Sequence, residues 1–482
     1  MKIISTLSIC FFIFFPVSAQ TYRAIEQFLS VSYMNGASVS IMVKDVNSDS
    51  ILYSYDAERK VIPASVMKIV TTATALEILG EDFRYETDIM YDGSITDSIL
   101  YGNIYIRGSG DPSLGSSEIG AERNKMIYEW IEAIKNAGVR VITGSVIADE
   151  SIFDTEGISM KWMREDIGSY YGQGCYGINI FDNNYTLFLN TKEPGNKPEI
   201  VKSEPEMPLI FFHNYLTTNK TNKDSTYIIG FPYSNEHYLY GTVPANRTGH
   251  KLKGDIPDPA LFLAQYFTKL LKSENIAVNG TPTCHRILTQ EGKWDIQDRE
   301  IIITTYSLPL KDLIRITNHE SKNLYADAFL KTIGLSYTSD EEVISSFDKG
   351  IKVLRKYWED KGLNTSSLWM FDGSGLAATD KTTAGFLCDF LSYMATKSLK
   401  SEVFIESIPR AGIDGTVANI LRGSRLQGKV RLKSGSMSRV RSYAGYVNIE
   451  NKQLAVSIIV NNFSCNQSLM RAHIEHLLLS LF

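Results

Sequence analysis

Cysteine is scarce in this chain, with five in 482 residues, and no two of them form a Cys-x-x-Cys pair. Zinc ribbons and thioredoxin-like redox centres are built on that spacing, so both classes lose their signature. The seven histidines include no His-Glu-x-x-His pair, which removes the helical zinc-protease pattern. No Gly-x-Ser-x-Gly elbow occurs either, so a nucleophile of the α/β-hydrolase type has no place to sit. Basic residues are not in excess: 49 Lys and Arg face 54 Asp and Glu, a net charge of −5, and nucleic acid leaves no footprint. Beyond Ala19 no stretch approaches the roughly 20 apolar residues that cross a bilayer. Internal repeats and low-complexity tracts are lacking as well, and nothing in the pattern calls for a metal or a cofactor.

What is present begins with a leader. Lys2 precedes an apolar run from Ile9 to Phe15, and Pro16-Val17-Ser18-Ala19 precedes Gln20, the charged, apolar and small-residue order of a cleavable secretory signal. Residues 1–19 are expected to be removed; Lys2 is the one charge lost, leaving 48 basic against 54 acidic residues, or −6. Leu7-Ser8-Ile9-Cys10 hints at a lipoprotein box, but Ile9 is bulky where a small residue is wanted and most of the apolar run follows Cys10. The expectation is an exported protein, periplasmic or otherwise extracytoplasmic, with membrane association at most peripheral. Cys175, Cys284, Cys388 and Cys465 remain after export. Their pairing is open, and buried free thiols are the plainer expectation.

The remaining 463 residues (482 minus 19) exceed what one core supports, so two or three domains are expected. Ala37 to Val43 and Ile51 to Tyr55 read as a hairpin across Asn47-Ser48-Asp49-Ser50. Lys429 to Lys433, Arg441 to Asn448 and Leu454 to Asn461 read as three further strands, followed by a helix from Leu469 to Leu479. Strands from the two ends are expected in one antiparallel sheet, with terminal helices on one face and a helix beginning near Ser65 on the other. That is an α+β arrangement. Between these ends lies a large insertion. Leu100 to Arg107 is expected as a strand, Ser117 to Ala137 as a helix and Val139 to Ala148 as a strand pair. Tyr185 to Thr242 has a different, Gly- and Asn-broken strand texture, followed by a helix from Pro259 to Ser273. The boundaries read as 20–86 for the first part of the catalytic domain, 87–305 for the insertion, one unit or two nested, and 306–482 for the second part. A helix from Glu341 to Trp358 belongs to that last part.

Three short words carry chemistry. Ser65-Val66-Met67-Lys68 follows Pro63 and opens a run that ends at Gly80, with proline and glycine where a helix prefers them. Residues three apart share a helix face, so the Lys68 amine reaches the Ser65 hydroxyl. Serine needs a base, and a lysine serves only when neutral. Bringing a lysine from about 10.4 to near 7 costs roughly 4–5 kcal/mol, which burial and a second cation such as Lys433 can jointly supply. Ser321-Lys322-Asn323 marks a helix-to-helix corner, where Ser321 can relay a proton and the Asn323 amide can hold a substrate backbone; capping explains the same residues equally well. In Lys433-Ser434-Gly435-Ser436, strand alternation puts Lys433 and Gly435 on one face, and Gly435 leaves room for a substrate along the edge. Lys433, Ser434 and Ser436 are placed to hold a carboxylate, and the Ser65 and Ser436 N–H groups to hold an oxyanion, at about 3–4 kcal/mol per donor. Each word alone is weak; their order is not.

Together the three words resemble the penicillin-recognising acyl-serine enzymes. Gly108-Ser109-Gly110-Asp111-Pro112-Ser113-Leu114, Asp372-Gly373-Ser374-Gly375-Leu376 and Pro409-Arg410-Ala411-Gly412-Ile413-Asp414-Gly415-Thr416 are similar to segments of the D-Ala-D-Ala carboxypeptidase/endopeptidase family, the class C low-molecular-mass penicillin-binding proteins. The resemblance spans most of the mature chain. It implies a penicillin-binding or serine β-lactamase-like α+β domain, an antiparallel sheet flanked by helices, with a large domain inserted after the Ser-x-x-Lys helix. It implies release of terminal D-Ala from peptidoglycan stem peptides, extending to cross-links, through an acyl-enzyme that β-lactam antibiotics trap. Catalysis falls to Ser65, Lys68 and Ser321, and substrate binding to Asn323, Lys433, Ser434, Gly435 and Ser436. The insertion is implied to read the stem side chain, with Trp162, Asp166 and Tyr170 in the matching region. Two departures stand out: Lys322 replaces the commoner Asp or Asn, and Ser434 the usual Thr.

Competing readings lose ground on particular residues. The size of the insertion argues against a serine β-lactamase, and intact Ser65 and Lys68 argue against a non-hydrolytic sensor of peptidoglycan or β-lactams. Gly172-Gln173-Gly174-Cys175-Tyr176-Gly177 matches a dinucleotide fingerprint literally, yet it follows Arg164-Glu165-Asp166-Ile167-Gly168 rather than an apolar strand, so a tight loop is expected. His319 reads as a polar helix-junction residue.

Overall fold

A computed structural model of the chain describes residues 19–120, 122–295, 297–339 and 342–482. The expected leader lies outside the described residues except for Ala19, where the first helix, Ala19–Leu29, begins. Among the described residues no helix is long and apolar enough to cross a membrane.

Strands from the two ends of the chain join in one five-stranded antiparallel sheet. Its order is Ile51–Tyr55, Ser38–Asp45, Lys452–Asn461, Val440–Ile449, Val430–Met437. Alternation along these strands sorts their side chains to two faces. Val39, Ile41, Val43, Tyr443 and Val447 pack with Phe28, Ile474 and Leu478 of the two terminal helices, Ala19–Leu29 and Gln467–Leu481. Met42, Ala444, Tyr446, Ala455 and Ile459 face the opposite way, into a cluster with Ile69 and Ala73 of the helix Lys68–Leu79, Phe329 of Asn323–Gly334, and Phe390 of Ala384–Thr396. A helix placed between a sheet and other helices is apolar all round, and Lys68 to Leu76 are buried without a break.

The chain leaves this domain at Glu86–Tyr91 and returns at Glu300–Tyr306, two strands that pair antiparallel. They end a five-stranded sheet continued by Ile104–Gly108, Val146–Asp149 and Thr283–Cys284. Residues 184–255 add small sheets of their own, built on Asn184–Thr191, Glu236–Tyr240 and Arg247–Asp255. Tyr185, Leu187, Leu239 and Leu252 from those sheets share one apolar cluster with Trp130, Ile131 and Phe267. All four described cysteines are unpaired; Cys175, Cys284 and Cys388 are buried and Cys465 is partly so.

Several element boundaries differ from expectation, each for a local reason. Ser65 lies not in the α-helix but in a 3-10 turn, Ala64–Met67, from which the helix starts at Lys68. The strand expected from Leu100 to Arg107 is two, Ile99–Tyr101 and Ile104–Gly108, because the backbone N–H of Asn103 turns to the Asp92 carboxylate. The helix expected from Ser117 is a 3-10 turn, Ser117–Ile119, broken by Gly120 at φ 67° before Lys125–Asn136. The helix expected from Glu341 begins at Ser346, capped by Ser345, whose hydroxyl accepts from the Asp348 N–H; Ile344 before it is exposed, and Glu341 lies outside the described residues. The helix Pro259–Ser273, by contrast, has the expected bounds, and Asp258 caps it, accepting from the Leu261 N–H.

Candidate active site

Ser65 sits where the sheet meets two helices. The segment before it is pinned to the sheet: Asn461 Oδ1 accepts from the Ile62 N–H at 2.7 Å, and Ser442 Oγ donates to the Pro63 carbonyl at 2.5 Å. Ala64 is held at φ 49°, a left-handed conformation that a non-glycine residue adopts only when its surroundings impose it. That turn presents the Ser65 hydroxyl, and the side chain stays partly exposed.

Lys68 is wholly buried and makes three polar contacts. Its Nζ lies 2.9 Å from Ser65 Oγ, 2.6 Å from Asn323 Oδ1 and 2.7 Å from the Ser374 carbonyl. Burial pushes its pKa down to about 8, against the opposing pull of Asp327, Asp372 and Asp380. Of the two causes the sequence suggested, burial is the one that lowers Lys68. Lys433 is itself held well below the usual lysine range by burial, with Lys68 and then Arg441 repelling its proton further.

The helix Leu310–Glu320 ends at Ser321, which takes left-handed φ 58° and ψ 41°, and the next helix begins at Asn323. Lys322 occupies the N-cap position of that next helix without a side-chain cap, so Ser321 is the C-cap of the helix before it and its hydroxyl is not spent on an N-cap. Its hydroxyl instead accepts from Lys433 Nζ at 2.8 Å. Asn323 also donates through Nδ2 to the Tyr171 carbonyl at 2.8 Å, committing one of its two amide hydrogens to the insertion.

The strand Val430–Met437 forms the third wall. Lys433 is fully buried and also donates to the Ser434 carbonyl at 2.9 Å. At Gly435 a Cβ would stand 2.6 Å from the Pro63 carbonyl oxygen and 3.0 Å from the Ser65 nitrogen, so only glycine lets the strand come this close to the nucleophile. Ser436, one residue on, is exposed. Ser434 Oγ donates to Thr416 Oγ1 at 2.8 Å, placing a hydroxyl that the sequence did not single out beside the expected carboxylate pocket. All eight expected site residues therefore fall on these three walls. Among the described residues no group of three or more His, Cys, Asp or Glu is placed to hold a metal ion.

A groove of about 670 Å³ runs from this corner between the two domains. Ser321, Lys322 and Asn323 line one side, and Glu118, Tyr170 and Lys253 belong to the other. A second cavity, about 610 Å³ on the insertion, has Glu86, Arg107, Asp149 and Trp294 in its wall and none of the three words.

The model of the D-Ala-D-Ala carboxypeptidase 3 (S13) family matches residues 22–478. The chain belongs to that family. It is a hydrolase, a serine-type D-Ala-D-Ala carboxypeptidase by descent. The D-alanyl-D-alanine carboxypeptidase of Actinomadura sp. strain R39 is 27% identical over 451 residues, covering 91% of this chain and 80% of that one. The crystal structure of penicillin binding protein 4 (dacB) from Haemophilus influenzae superposes with a TM-score of 0.80 at 21% identity, covering 95% of this chain and 97% of that one. The same protein complexed with a novel β-lactam gives a TM-score of 0.75 at 20% identity, again over 95% and 97% of the two chains. These two likenesses carry the fold.

Within an S13 chain the two departures find partners. Lys322 Nζ reaches Glu118 at 2.6 Å and Asp182 at 3.7 Å, so its amine ties the helix corner to the insertion. Ser434 keeps the hydroxyl and spends it on Thr416. The three residues of the matching region divide. Tyr170 is 51% exposed in the groove, Asp166 is buried, and Trp162 is buried with its indole N–H donating to Asp372 Oδ2 at 2.7 Å. Gly172 to Gly177 form a tight loop against the helix Asn323–Gly334, where Lys331 Nζ donates to the Cys175 carbonyl at 3.0 Å. His319 is half-buried near Asp414 and Arg315.

Proposed function

We propose that this chain removes the terminal D-Ala from peptidoglycan stem peptides through an acyl-enzyme on Ser65. Neutral Lys68 takes the Ser65 proton as the oxygen attacks the carbonyl of the penultimate D-Ala. The Ser65 and Ser436 N–H groups face the oxyanion that develops. Lys68 passes that proton on, relayed by the hydroxyl of Ser321, which is hydrogen-bonded to Lys433, to the nitrogen of the departing D-Ala, so the C–N bond breaks and Lys68 is neutral again. Lys433, Ser434, Thr416 and Ser436 receive the terminal carboxylate, whose charge offsets the cost of burying the Lys433 ammonium. Water then attacks the ester, Lys68 takes its proton and returns it to Ser65 Oγ, and the shortened stem leaves. A β-lactam enters the same sequence at its lactam carbonyl. Cross-link cleavage follows the same chemistry, with the departing D-Ala part of a second stem. Export behind the leader places the enzyme outside the cytoplasm, beside the wall.

One observation carries the reading: a buried lysine amine hydrogen-bonded to the hydroxyl of a serine on a strained, partly exposed turn. The test is to incubate the protein with labelled penicillin, map the adduct, and assay D-Ala release from a stem pentapeptide. A stable adduct on Ser65 with D-Ala release is expected. No adduct at Ser65 would falsify the mechanism, rapid adduct loss with penicillin destruction would make the protein a β-lactamase, and a stable adduct without D-Ala release a sensor.

A pH dependence follows from Lys68. A lysine with pKa about 8 is mostly protonated at neutral pH and cannot accept a proton until it loses its own. Acylation is therefore expected to climb as pH rises through about 8 and to level off above it. Stopped-flow acylation rates across that range check this; a flat profile excludes Lys68 as the titrating base.

A further inference from the structure

Trp162 stands in the stretch implied to touch substrate, yet it is buried and points into the catalytic domain. Its indole N–H donates to Asp372 Oδ2, an oxygen that also accepts from the Ala377 N–H at 2.7 Å. Asp372 Oδ1 accepts from the N–H groups of Ser374 at 3.1 Å and Gly375 at 2.6 Å. Three of these four donors belong to the loop that Asp372 itself begins, so the carboxylate folds that loop around itself. The fourth comes from the insertion, 210 positions away in sequence (372 minus 162).

This loop touches Lys68 and the turn that carries Ser65. The Ser374 carbonyl accepts from Lys68 Nζ at 2.7 Å. Gly375, at φ 76°, lies against the residue before the nucleophile, where a Cβ would stand 2.1 Å from the Ala64 carbonyl oxygen. Thr71, one turn beyond Lys68, donates to the Gly373 carbonyl at 2.7 Å, and the Gly373 N–H donates to Asp327 at 2.8 Å.

The hydrogen-bonding capacity of a neutral amine gives these contacts a consequence. A neutral lysine has two N–H donors and one lone pair. Asn323 Oδ1 and the Ser374 carbonyl can only accept, so they take both donors and leave the lone pair for the Ser65 hydroxyl. A displaced Ser374 carbonyl frees the amine to rotate, and the lone pair loses its direction.

We infer that Trp162 and Asp372 are positioning residues for Lys68: through the Trp162 indole, the inserted domain holds the loop whose Ser374 carbonyl aims the lysine lone pair at Ser65. The inference rests on Lys68 being the base. The titratable groups facing Lys68 are Asp327 from the helix Asn323–Gly334, Asp372 and Asp380 from the loop region, and Lys433 from the strand, with Arg441 behind it; burial holds Asp327 and Asp380 well above the usual carboxylate range. Trp162→Phe removes the indole N–H and leaves those groups in place. Asp372→Asn removes one of the negative charges that keep the lysine proton on.

Acylation by labelled penicillin, measured on the full chain across pH with the limiting rate and the initial binding constant separated, tests this. Trp162→Phe is expected to lower the limiting rate about 10-fold or more and leave the binding constant unchanged. Asp372→Asn is expected to lower the rate too and to move the rising limb to lower pH. If Asp372→Asn does not fold, as judged by circular dichroism, Trp162→Phe alone decides. A wild-type limiting rate in Trp162→Phe, or a loss confined to binding, overturns the inference and returns Trp162 to a substrate contact. Lys68→Ala in parallel separates the two readings. If it still acylates, the base assignment is at fault; if it does not and Trp162→Phe is unaffected, only the positioning role fails.

Discussion

Lys68→Ala is expected to slow acylation of Ser65 by about 10²- to 10⁴-fold, the usual contribution of a positioned general base. The far-UV circular dichroism spectrum should not change. Lys68 lies in the first turn of a helix whose other residues to Leu76 are buried apolar and hydroxyl side chains, and those contacts survive. Truncation leaves Asn323 Oδ1 and the Ser374 carbonyl without a donor, at about 1–3 kcal/mol for each unsatisfied group. It also removes a buried cation whose desolvation was itself costly, so the two effects oppose each other. Stability should change far less than rate. Rates of labelled-penicillin adduct formation decide it: acylation at the wild-type rate excludes Lys68 as the base.

Gly435→Ala is expected to cost about 10²-fold in acylation, the scale set by misplacing reacting groups by roughly an ångström. The added Cβ would meet Ser442 Oγ at 2.3 Å, the Pro63 carbonyl oxygen at 2.6 Å and the Ser65 nitrogen at 3.0 Å. A serine side chain can turn away, but the other two atoms are backbone. The strand or the nucleophile turn must then shift, which moves the Ser65 N–H and Oγ relative to Lys68. Pairing of the strand Val430–Met437 with Val440–Ile449 runs over eight registered positions and should persist. A folded protein with slow acylation is the expected result, read from the same adduct assay beside a thermal melt. Wild-type acylation kinetics in Gly435→Ala would mean that the strand does not lie against the nucleophile as described.

The Ser65 and Lys68 pair was legible because three-residue spacing is a local property of a helical turn, and the 3-10 geometry of that turn preserves it. The strands Ser38–Asp45, Val440–Ile449 and Lys452–Asn461 were legible because helices cover both of their faces, so they are buried almost end to end and read as apolar, β-branched and aromatic runs. Ser321 was ambiguous, since serine at a helix corner satisfies a cap as well as a catalytic site. Its bond from Lys433 separates the two, and that bond depends on a strand 112 positions later (433 minus 321). The helix starts at Lys125 and Ser346 were misjudged because apolar residues continue upstream, through Ile119 past the turn at Gly120 and through Val343 and Ile344 past the Ser345 cap.

Lys322, Trp162 and Thr416 show where single-chain pattern runs out. The partners of Lys322 lie 204 and 140 positions earlier, at Glu118 and Asp182 (322 minus 118 and 322 minus 182). Trp162 belongs, by resemblance, to a substrate-reading region, yet its N–H is spent on Asp372. Thr416 sat in a recognised segment, but nothing in that segment says which hydroxyl meets Ser434.

By itself the sequence determined the kind of chemistry and the α+β frame: a serine nucleophile with a lysine one turn on, a polar helix corner, a Lys-Ser-Gly strand and an insertion between them. Such features are local, set by helical spacing, strand alternation and the order of short segments. Only the tertiary structure decided how Lys68 comes to be usable as a base. Its pKa depends on complete burial among Asp327, Asp372 and Asp380, and its direction on two oxygen acceptors from segments 255 and 306 positions away (323 minus 68 and 374 minus 68). Burial and hydrogen-bond direction are properties of what surrounds a side chain, and here the surroundings are assembled from segments far from Lys68 in the sequence.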